Sequence, residues 1–217
     1  MARGRLIVLE GPEGVGKTTQ HRLLAERLRA SGRDVVALRE PGGTPVGDVI
    51  RGVLLDPASD IAPAAEALLY MASRAQLVER EIVPALERGA IVLLDRFFLA
   101  TYAYQGAGRG LPQDEIRAAN QLAARDLAPD LTILLTLPVE EGLERAARRG
   151  GHDRMERVGL AFHERVAKAF TTFADSAWQA RHPECGPIVL VSASGTEMDV
   201  LQRLLAALRD RWPESFA

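Results

Sequence analysis

Cysteine is almost absent from this sequence: Cys185 is the only one among 217 residues, so no disulfide can form within the chain. No apolar run approaches the roughly 18 residues that a membrane-spanning helix needs. The net charge of −2 disfavours the broad class of nucleic-acid binders, which are usually basic. The chain enters a strand-like run at residues 5–10 without a signal-peptide pattern, so we expect a cytoplasmic protein with no nucleic-acid or membrane partner.

Lysine is also scarce, because 25 of the 27 basic residues are arginine and only Lys17 and Lys168 are lysine. Against this background, a lysine indicates a position where the chemistry requires an ammonium group. The remaining composition, with 47% hydrophobic and 26% charged residues, is ordinary for a globular protein. It excludes a disordered chain and a collagen-like repeat.

Five short apolar runs alternate with helix-like segments along the chain. The runs predict strands at residues 6–9, 34–38, 90–94, 131–137 and 187–191. The remaining pattern predicts helices at 17–30, 47–55, 63–88 with a kink at Pro84, 112–127, 139–149, 156–179 and 197–211. Short apolar strands that alternate with helices indicate an α/β domain over residues 1–217, in which helices cover both faces of a parallel sheet.

A glycine-rich motif lies between the first predicted strand and the first predicted helix, and it fits G-x-x-x-x-G-K-[ST] in full. Its backbone amides and the helix N-terminus can bind phosphate, Lys17 can reach the β- and γ-phosphates, and the Thr18 hydroxyl can ligate Mg²⁺. The alternative is a glycine-rich turn with an incidental lysine, which the strand–helix context disfavours. We therefore predict that the chain binds a nucleoside triphosphate through Gly11, Pro12, Glu13, Gly14, Val15, Gly16, Lys17, Thr18 and Thr19.

Two further segments follow strands whose carboxyl ends should lie at the same sheet edge as this loop. Residues 39–44, with the sequence REPGGT, come after the second strand, and Asp95 and Arg96 come after the third. Asp95 can hold Mg²⁺ through water, and Arg96 can bind the phosphate of an acceptor. The alternative for this pair is a loop ion pair or a cap.

Two other groups of residues are candidates for ligand contacts. Tyr70 and Arg74 are four residues apart on a predicted helix, so they share a face and can bind a nucleobase. The alternative is a half-buried tyrosine beside a solvated arginine. Four arginines surround Gly150 and Gly151 and are typical of a lid over triphosphate, although they also suit a solvated helix end. They are Arg145, Arg148, Arg149 and Arg154.

Taken together, these segments resemble the thymidylate kinase family, whose members phosphorylate dTMP with ATP. The resemblance covers most of the chain in order. It is carried by the phosphate loop, by REPGGT at 39–44 followed by Gly47 and Arg51, by Tyr70 with RAQ at 74–76, by Asp95-Arg96 followed by Thr101 and AYQ at 103–105, and by DRME at 153–156 with Phe162.

The resemblance implies a P-loop nucleoside-monophosphate-kinase fold in three layers, with a five-stranded parallel sheet flanked by helices. It implies dTMP-binding segments at about 39–51, 70–76 and 95–105, a lid at about 145–156, ATP as co-substrate, Mg²⁺ as cofactor and a homodimer. The implied dTMP contacts are Tyr70 stacked on thymine, Arg74 at its carbonyl edge, Arg96 at the phosphate with Arg39 or Arg51, Tyr104 at C2′, Glu13 at the 3′-hydroxyl, and Pro41, Thr101 and Gln105 around them. The implied catalytic residues are Lys17, Arg96, Glu13 and a lid cation, for which Arg149 and Arg154 come before Arg145 and Arg148.

Three positions depart from the family pattern: Tyr70 where phenylalanine is frequent, Asp48 where glutamate is common, and Ala100 where serine is usual. The serine-to-alanine difference removes one polar group near the base. Two other functions stay open from the sequence. One is a kinase for a different nucleoside monophosphate, and the other is a non-catalytic nucleotide-binding regulator on the same fold.

Overall fold

A five-stranded sheet forms the centre of the molecule in the computed structural model, which describes residues 3–138, 141–142, 145, 153–155 and 157–216. All the strands are parallel, and their order is β2-β3-β1-β4-β5. Their bounds are β1 Arg5–Glu10, β2 Val35–Arg39, β3 Ile91–Asp95, β4 Leu131–Thr136 and β5 Ile188–Ser192. The predicted α/β fold with a five-stranded parallel sheet is confirmed.

Helices cover both faces of this sheet because the side chains of the central strands alternate between two apolar cores. In β1, Leu6 and Val8 belong to one core, and Ile7 and Leu9 belong to the other. All four are completely buried. A near-continuous apolar run is what a strand needs when both of its faces are covered, so the short runs in the sequence indicated this three-layer arrangement.

The helices agree with the predicted alternation. No helix in the described part of the chain is long and apolar enough to cross a membrane. The first and last predicted helices have the predicted bounds. The α-helices are α1 Lys17–Ala30, α2 Pro45–Leu55, α3 Pro63–Leu77, α4 Val83–Glu87, α5 Phe98–Thr101, α6 Gln113–Ala124, α7 Leu160–Thr172, α8 Ser176–Arg181, α9 Glu197–Arg211 and α10 Pro213–Phe216, with π-helical segments at Val78–Ile82 and Tyr102–Gly108 and a 3₁₀ turn at Pro183–Cys185.

Two predicted helices differ in the structure. The helix expected at 63–88 is α3 and α4 joined through a π-helical segment that ends at Ile82, and Pro84 lies in the first turn of α4. The helix expected at 156–179 is interrupted, and its two parts are α7 and α8. Asp175 begins the second part because its carboxylate accepts a 2.9 Å hydrogen bond from the Trp178 amide. Most of the helix predicted at 139–149 lies outside the described residues.

Candidate active site

A cavity of about 290 Å³ opens at the carboxyl ends of β1, β2 and β3. It lies there because the parallel register sets Asp95, at the end of β3, beside both Leu9 of β1 and Arg39 of β2. The phosphate loop and the two segments predicted to converge on it therefore meet in one space. The lining residues are Glu13, Gly14, Gly16, Lys17, Thr18, Arg39, Glu40, Pro41, Arg51, Leu55, Tyr70, Arg74, Asp95, Arg96, Ala100, Thr101, Tyr104, Gln105, Asp153 and Met155.

The phosphate loop curls through left-handed backbone conformations that favour glycine. Gly14 has a φ of 79°, and a Cβ atom there would lie 1.9 Å from the carbonyl oxygen of Gly142. The Lys17 ammonium donates hydrogen bonds to the carbonyls of Gly11 at 2.8 Å and Pro12 at 2.7 Å, so the loop folds around it. Pro12 and Val15 line a second cavity, and Thr19 lies within α1.

Lys17 is buried among charges of both signs. Burial and the adjacent Arg96 guanidinium lower the pKa of Lys17 to about 7, although the carboxylates of Asp95, Glu10 and Glu13 oppose this shift. A phosphate group beside the ammonium would favour its charged form. The electrostatic environment of Lys17 is therefore suited to an anionic ligand.

Arg96 occupies a backbone conformation that is uncommon for a residue with a side chain, with a φ of 71°. Its N–H donates to the carbonyl of Leu9 at 3.0 Å. Glu10, which is fully buried at the end of β1, accepts hydrogen bonds from the amides of Phe97 at 2.8 Å and Ala100 at 3.1 Å. These bonds hold the turn that directs Arg96 into the cavity.

Among the described residues that line the cavity, two have a buried polar side-chain atom without a hydrogen-bond partner: Asp95 at Oδ1 and Arg96 at Nη1. One is an acceptor suited to a cation, and the other is a donor suited to an anion. Burial lowers the pKa of Arg96, but Tyr104 and the nearby carboxylates, Asp95 first among them, raise it above its ordinary value. Arg96 therefore remains a guanidinium.

Tyr104 connects Arg96 to the phosphate loop. Its hydroxyl accepts a hydrogen bond from Nη2 of Arg96 at 3.3 Å and donates one to Oε1 of Glu13 at 3.3 Å. The guanidinium carbon of Arg96 lies 5.0 Å from the centre of the Tyr104 ring. Burial raises the pKa of Tyr104, so its hydroxyl stays protonated. The ring and Glu13 thus form one side of the cavity.

Tyr70 and Arg74 both line the cavity from the same face of α3, as their spacing predicted. Arg74 is only 2% exposed, which excludes the alternative of a solvated arginine. Its Nε donates to the Glu40 carboxylate at 2.8 and 3.1 Å, and its Nη2 donates to Glu40 at 2.5 Å and to the carbonyl of Phe97 at 2.8 Å. Nη1 donates to the side chain of Asn120. Sequence reasoning missed Glu40 and Asn120, although the acid inside REPGGT was a signal for the first.

A second cationic part of the cavity comes from Arg39 and Arg51. Nη1 of Arg51 donates to the carbonyl of Pro41 at 2.9 Å, and the Glu40–Pro41 peptide bond is cis. Burial and the neighbouring Arg39 lower the pKa of Arg51. Two guanidinium groups that repel one another in a cleft are stabilised by a bound anion. This part of the cavity is therefore suited to a phosphate.

Of the four predicted lid arginines, the structure describes two, Arg145 and Arg154, and both donate hydrogen bonds to other parts of the chain. Arg149 and Arg148 lie outside the described residues. Arg145 donates to the carbonyl of Ala193 at 3.4 Å and to Glu141. Arg154 is not among the described residues that line the cavity, and its Nη2 instead donates to Glu66 at 2.7 Å. The predicted contacts Thr101 and Gln105 are buried and do line the cavity.

The fold and this site define a P-loop phosphotransferase. A loop for a nucleoside triphosphate lies beside an arginine-rich part of the same cavity, which is suited to the phosphate of a second substrate. Transfer of a phosphoryl group between two anionic substrates needs this combination of positioning and positive charge.

Comparisons with known proteins agree with this class. A family model described as thymidylate kinase matches residues 9–181. A thymidylate kinase of Deinococcus radiodurans is 47% identical over 211 residues, which span 97% of this chain and 99% of that protein. Thymidylate kinases of Pseudomonas fluorescens (strain Pf-5) and Pseudomonas putida (strain W619) are 52% and 54% identical, over 81% and 76% of this chain and 84% and 80% of theirs. The chain belongs to the thymidylate kinase family, which confirms the resemblance.

Proposed function

We propose that this protein transfers the γ-phosphate of ATP to dTMP, giving dTDP and ADP for dTTP synthesis. The observation that carries the proposal is the shared cavity, in which the phosphate loop and a second group of cations, Arg39, Arg51 and Arg96, face one space. Family membership identifies the class of reaction, and the pocket supports the choice of acceptor. Tyr70 provides a ring for stacking on a pyrimidine at the end of the cavity where Arg74 is buried.

The protein's own groups bind and position the two nucleotides, and none of them forms a covalent bond with the phosphoryl group. Lys17 and the loop amides would hold the β- and γ-phosphates, and Arg96 would hold the dTMP phosphate, with Arg39 and Arg51 nearby. Bringing the two phosphates together in line removes much of the entropic barrier. The buried cations then stabilise the charge that spreads over the oxygens in the transition state.

We also propose that Mg²⁺ binds with ATP, held by the Thr18 hydroxyl and Asp95. Both residues line the cavity, and the partnerless buried Oδ1 of Asp95 is an oxygen ligand of the kind that Mg²⁺ prefers. In the described part of the chain, no group of three or more histidine, cysteine or acidic side chains could hold a metal by itself. This fits Mg²⁺, which is usually bound by few protein ligands together with the phosphates. When bound, the ion neutralises charge on the phosphate oxygens.

Selection of the sugar is proposed to depend on Tyr104 and Glu13, which form one side of the cavity. The ring of Tyr104 would leave little room for a 2′-hydroxyl, and the Glu13 carboxylate would accept a hydrogen bond from the 3′-hydroxyl. A kinase for a ribonucleotide would need a different side chain at position 104.

We propose that the active form is a homodimer. Helices α2, α3 and α6 pack beside one another, and each exposes a large apolar side chain: Val49 is 71% exposed, Leu68 is 64% exposed and Leu122 is 84% exposed. Exposed apolar surface of this kind favours an interface between subunits. Sedimentation equilibrium should give twice the mass of one chain, and Leu122→Glu should shift the protein toward the monomer. A wild-type monomer at micromolar concentration would contradict this proposal.

An ADP-release assay tests the proposed reaction with ATP, Mg²⁺ and one of dTMP, dUMP, UMP, dCMP, GMP or no acceptor. We expect ADP with dTMP and less with dUMP. Lys17→Ala should lower kcat by at least about 100-fold while the fold stays intact, because it removes charge from the transition state. Lys168→Ala, which changes the only other lysine, is the matched control and should keep wild-type activity. ADP release without an acceptor would indicate an ATPase, and no ADP at all would favour a nucleotide-binding regulator.

A further inference from the structure

Glu66 is a buried carboxylate that joins three separate parts of the chain. It lies on α3, one turn before Tyr70, and its side chain is 0% exposed. It accepts hydrogen bonds from Nε2 of Gln105 at 2.9 Å, from Nε and Nη2 of Arg109 at 3.1 and 2.8 Å, and from Nη2 of Arg154 at 2.7 Å. We call Glu66, Gln105, Arg109 and Arg154 the Glu66 cluster.

Arg154 is held from two sides in this cluster. Besides its bond to Glu66, its Nε donates to the carbonyl of Leu54 at 2.7 Å, and its backbone amide donates to the carbonyl of Leu55 at 3.1 Å. Its side chain is only 10% exposed. The guanidinium is therefore bound to α2 and α3, whereas the residues on either side of it, Asp153 and Met155, line the substrate cavity.

The Glu66 carboxylate is ionised, and both of its oxygens accept hydrogen bonds. Burial raises the pKa of Glu66, but the hydrogen bonds from Arg109, Gln105 and Arg154 outweigh this effect and lower it below its ordinary value. Glu66 is thus ionised at neutral pH and compensates two guanidinium groups. An amide in its place would carry no charge and would direct an N–H₂ group toward arginine N–H groups.

We propose that Glu66 and Arg154 are positioning residues: their ion pair holds residues 153–155 as a wall of the dTMP cavity, and Arg154 is not the catalytic cation. The two residues lie 88 positions apart, and their bond fixes residues 153–155 relative to the helix that carries Tyr70. This inference rests on the proposed dTMP kinase function. From the sequence alone, Arg154 was a candidate for contact with phosphate. The inference assigns it instead to the contact that holds the cavity wall.

The test compares Glu66→Gln, Arg154→Ala and the double variant by steady-state kinetics. If the ion pair acts by holding the cavity wall, both single variants should raise KM for dTMP about 10-fold, with kcat within about 3-fold of wild type and KM for ATP unchanged. The double variant should be no worse than Glu66→Gln alone, because Glu66→Gln already removes the ion pair that Arg154→Ala removes. Arg154→Lys keeps a cation, so it should raise KM for dTMP less than Arg154→Ala does.

Glu184→Gln is the matched control. Glu184 accepts hydrogen bonds from the Tyr102 hydroxyl at 2.6 Å and from Nε of Arg117 at 3.1 Å, so it also bonds an arginine and the π-helical segment, but it is not among the described residues that line the cavity. Its KM for dTMP should stay within about 2-fold of wild type. A comparable rise in KM in this control would attribute the effect to general loosening of the fold.

Hydrogen–deuterium exchange of a peptide covering residues 153–155 gives a readout that needs no substrate. Exchange should be faster in Glu66→Gln than in wild type or Glu184→Gln, because the segment has lost its anchor. If wild type fails to phosphorylate dTMP but this exchange still changes, the proposed function fails and the positioning role stands.

Two results would overturn the proposal. In the first, Arg154→Ala lowers kcat by about 100-fold or more with KM for dTMP unchanged, while Glu66→Gln stays near wild type, which is the pattern of a cation that acts only in the transition state. In the second, KM for dTMP and the exchange of residues 153–155 are unchanged in both single variants, so the ion pair does not hold the wall.

Discussion

Removing the carboxylate of Glu40 should leave a guanidinium buried without its counter-charge. Glu40 and Arg74 form an ion pair whose side chains are only 4% and 2% exposed, with N···O distances of 2.5, 2.8 and 3.1 Å. Loss of one partner of a buried pair typically costs about 3–5 kcal/mol. In Glu40→Ala, the Phe97 carbonyl and ring and the Asn120 side chain still stabilise Arg74. We therefore expect Glu40→Ala to lower the free energy of unfolding by about 3 kcal/mol, at the lower end of that range.

Urea denaturation followed by circular dichroism measures this loss. With an m-value of about 2 kcal/mol per molar urea, the midpoint should fall by about 1.5 M. Asp34→Ala is the control, since Asp34 forms an ion pair with Arg88 in which the side chains are 60% and 50% exposed, and such pairs contribute at most about 1 kcal/mol. If Glu40→Ala lowers the free energy of unfolding no more than Asp34→Ala does, Glu40 and Arg74 do not form a buried, charged interaction. The double variant Glu40→Ala, Arg74→Met should recover part of the loss, because no uncompensated charge remains.

Three further predictions concern the sugar site, the phosphate loop and helix α9. Tyr104→Ala should raise kcat/KM for UMP relative to dTMP, because it removes bulk near C2′, and an unchanged ratio of the two would contradict that role. ATP binding at pH 8 should take up a proton and weaken as the pH rises above about 7, since the buried Lys17 has its pKa lowered to about 7 and bound phosphate favours its ammonium form. Calorimetry in buffers of different ionisation enthalpy should show this uptake, and it should be absent in Lys17→Arg. Thr196→Ala should cost about 1 kcal/mol in urea denaturation and leave activity unchanged, because it removes the capping box of α9.

Much of the fold follows from local patterns in the sequence. The bounds of α1 and α9 were predicted correctly. Local signals mark both ends of α1, at the phosphate loop and Gly32, and a capping box marks the start of α9. The strands were predicted because each apolar run is short and bounded by polar or glycine residues. The π-helical segments and the break between α7 and α8 were missed, since they depend on contacts with other parts of the molecule.

The sequence by itself determined the phosphate loop, the edge of the sheet at which ligands bind, and the family. These features depend on residues that are adjacent in the chain or on the order of strands. With 25 arginines available, however, residue type could not tell which of them face a ligand and which face a carboxylate. Arg74 is bound to Glu40 across 34 positions and Arg154 to Glu66 across 88, and only the packing of distant segments could bring these charges together. The tertiary structure decided these pairings because a buried guanidinium requires a partner, and that partner need not lie nearby in sequence.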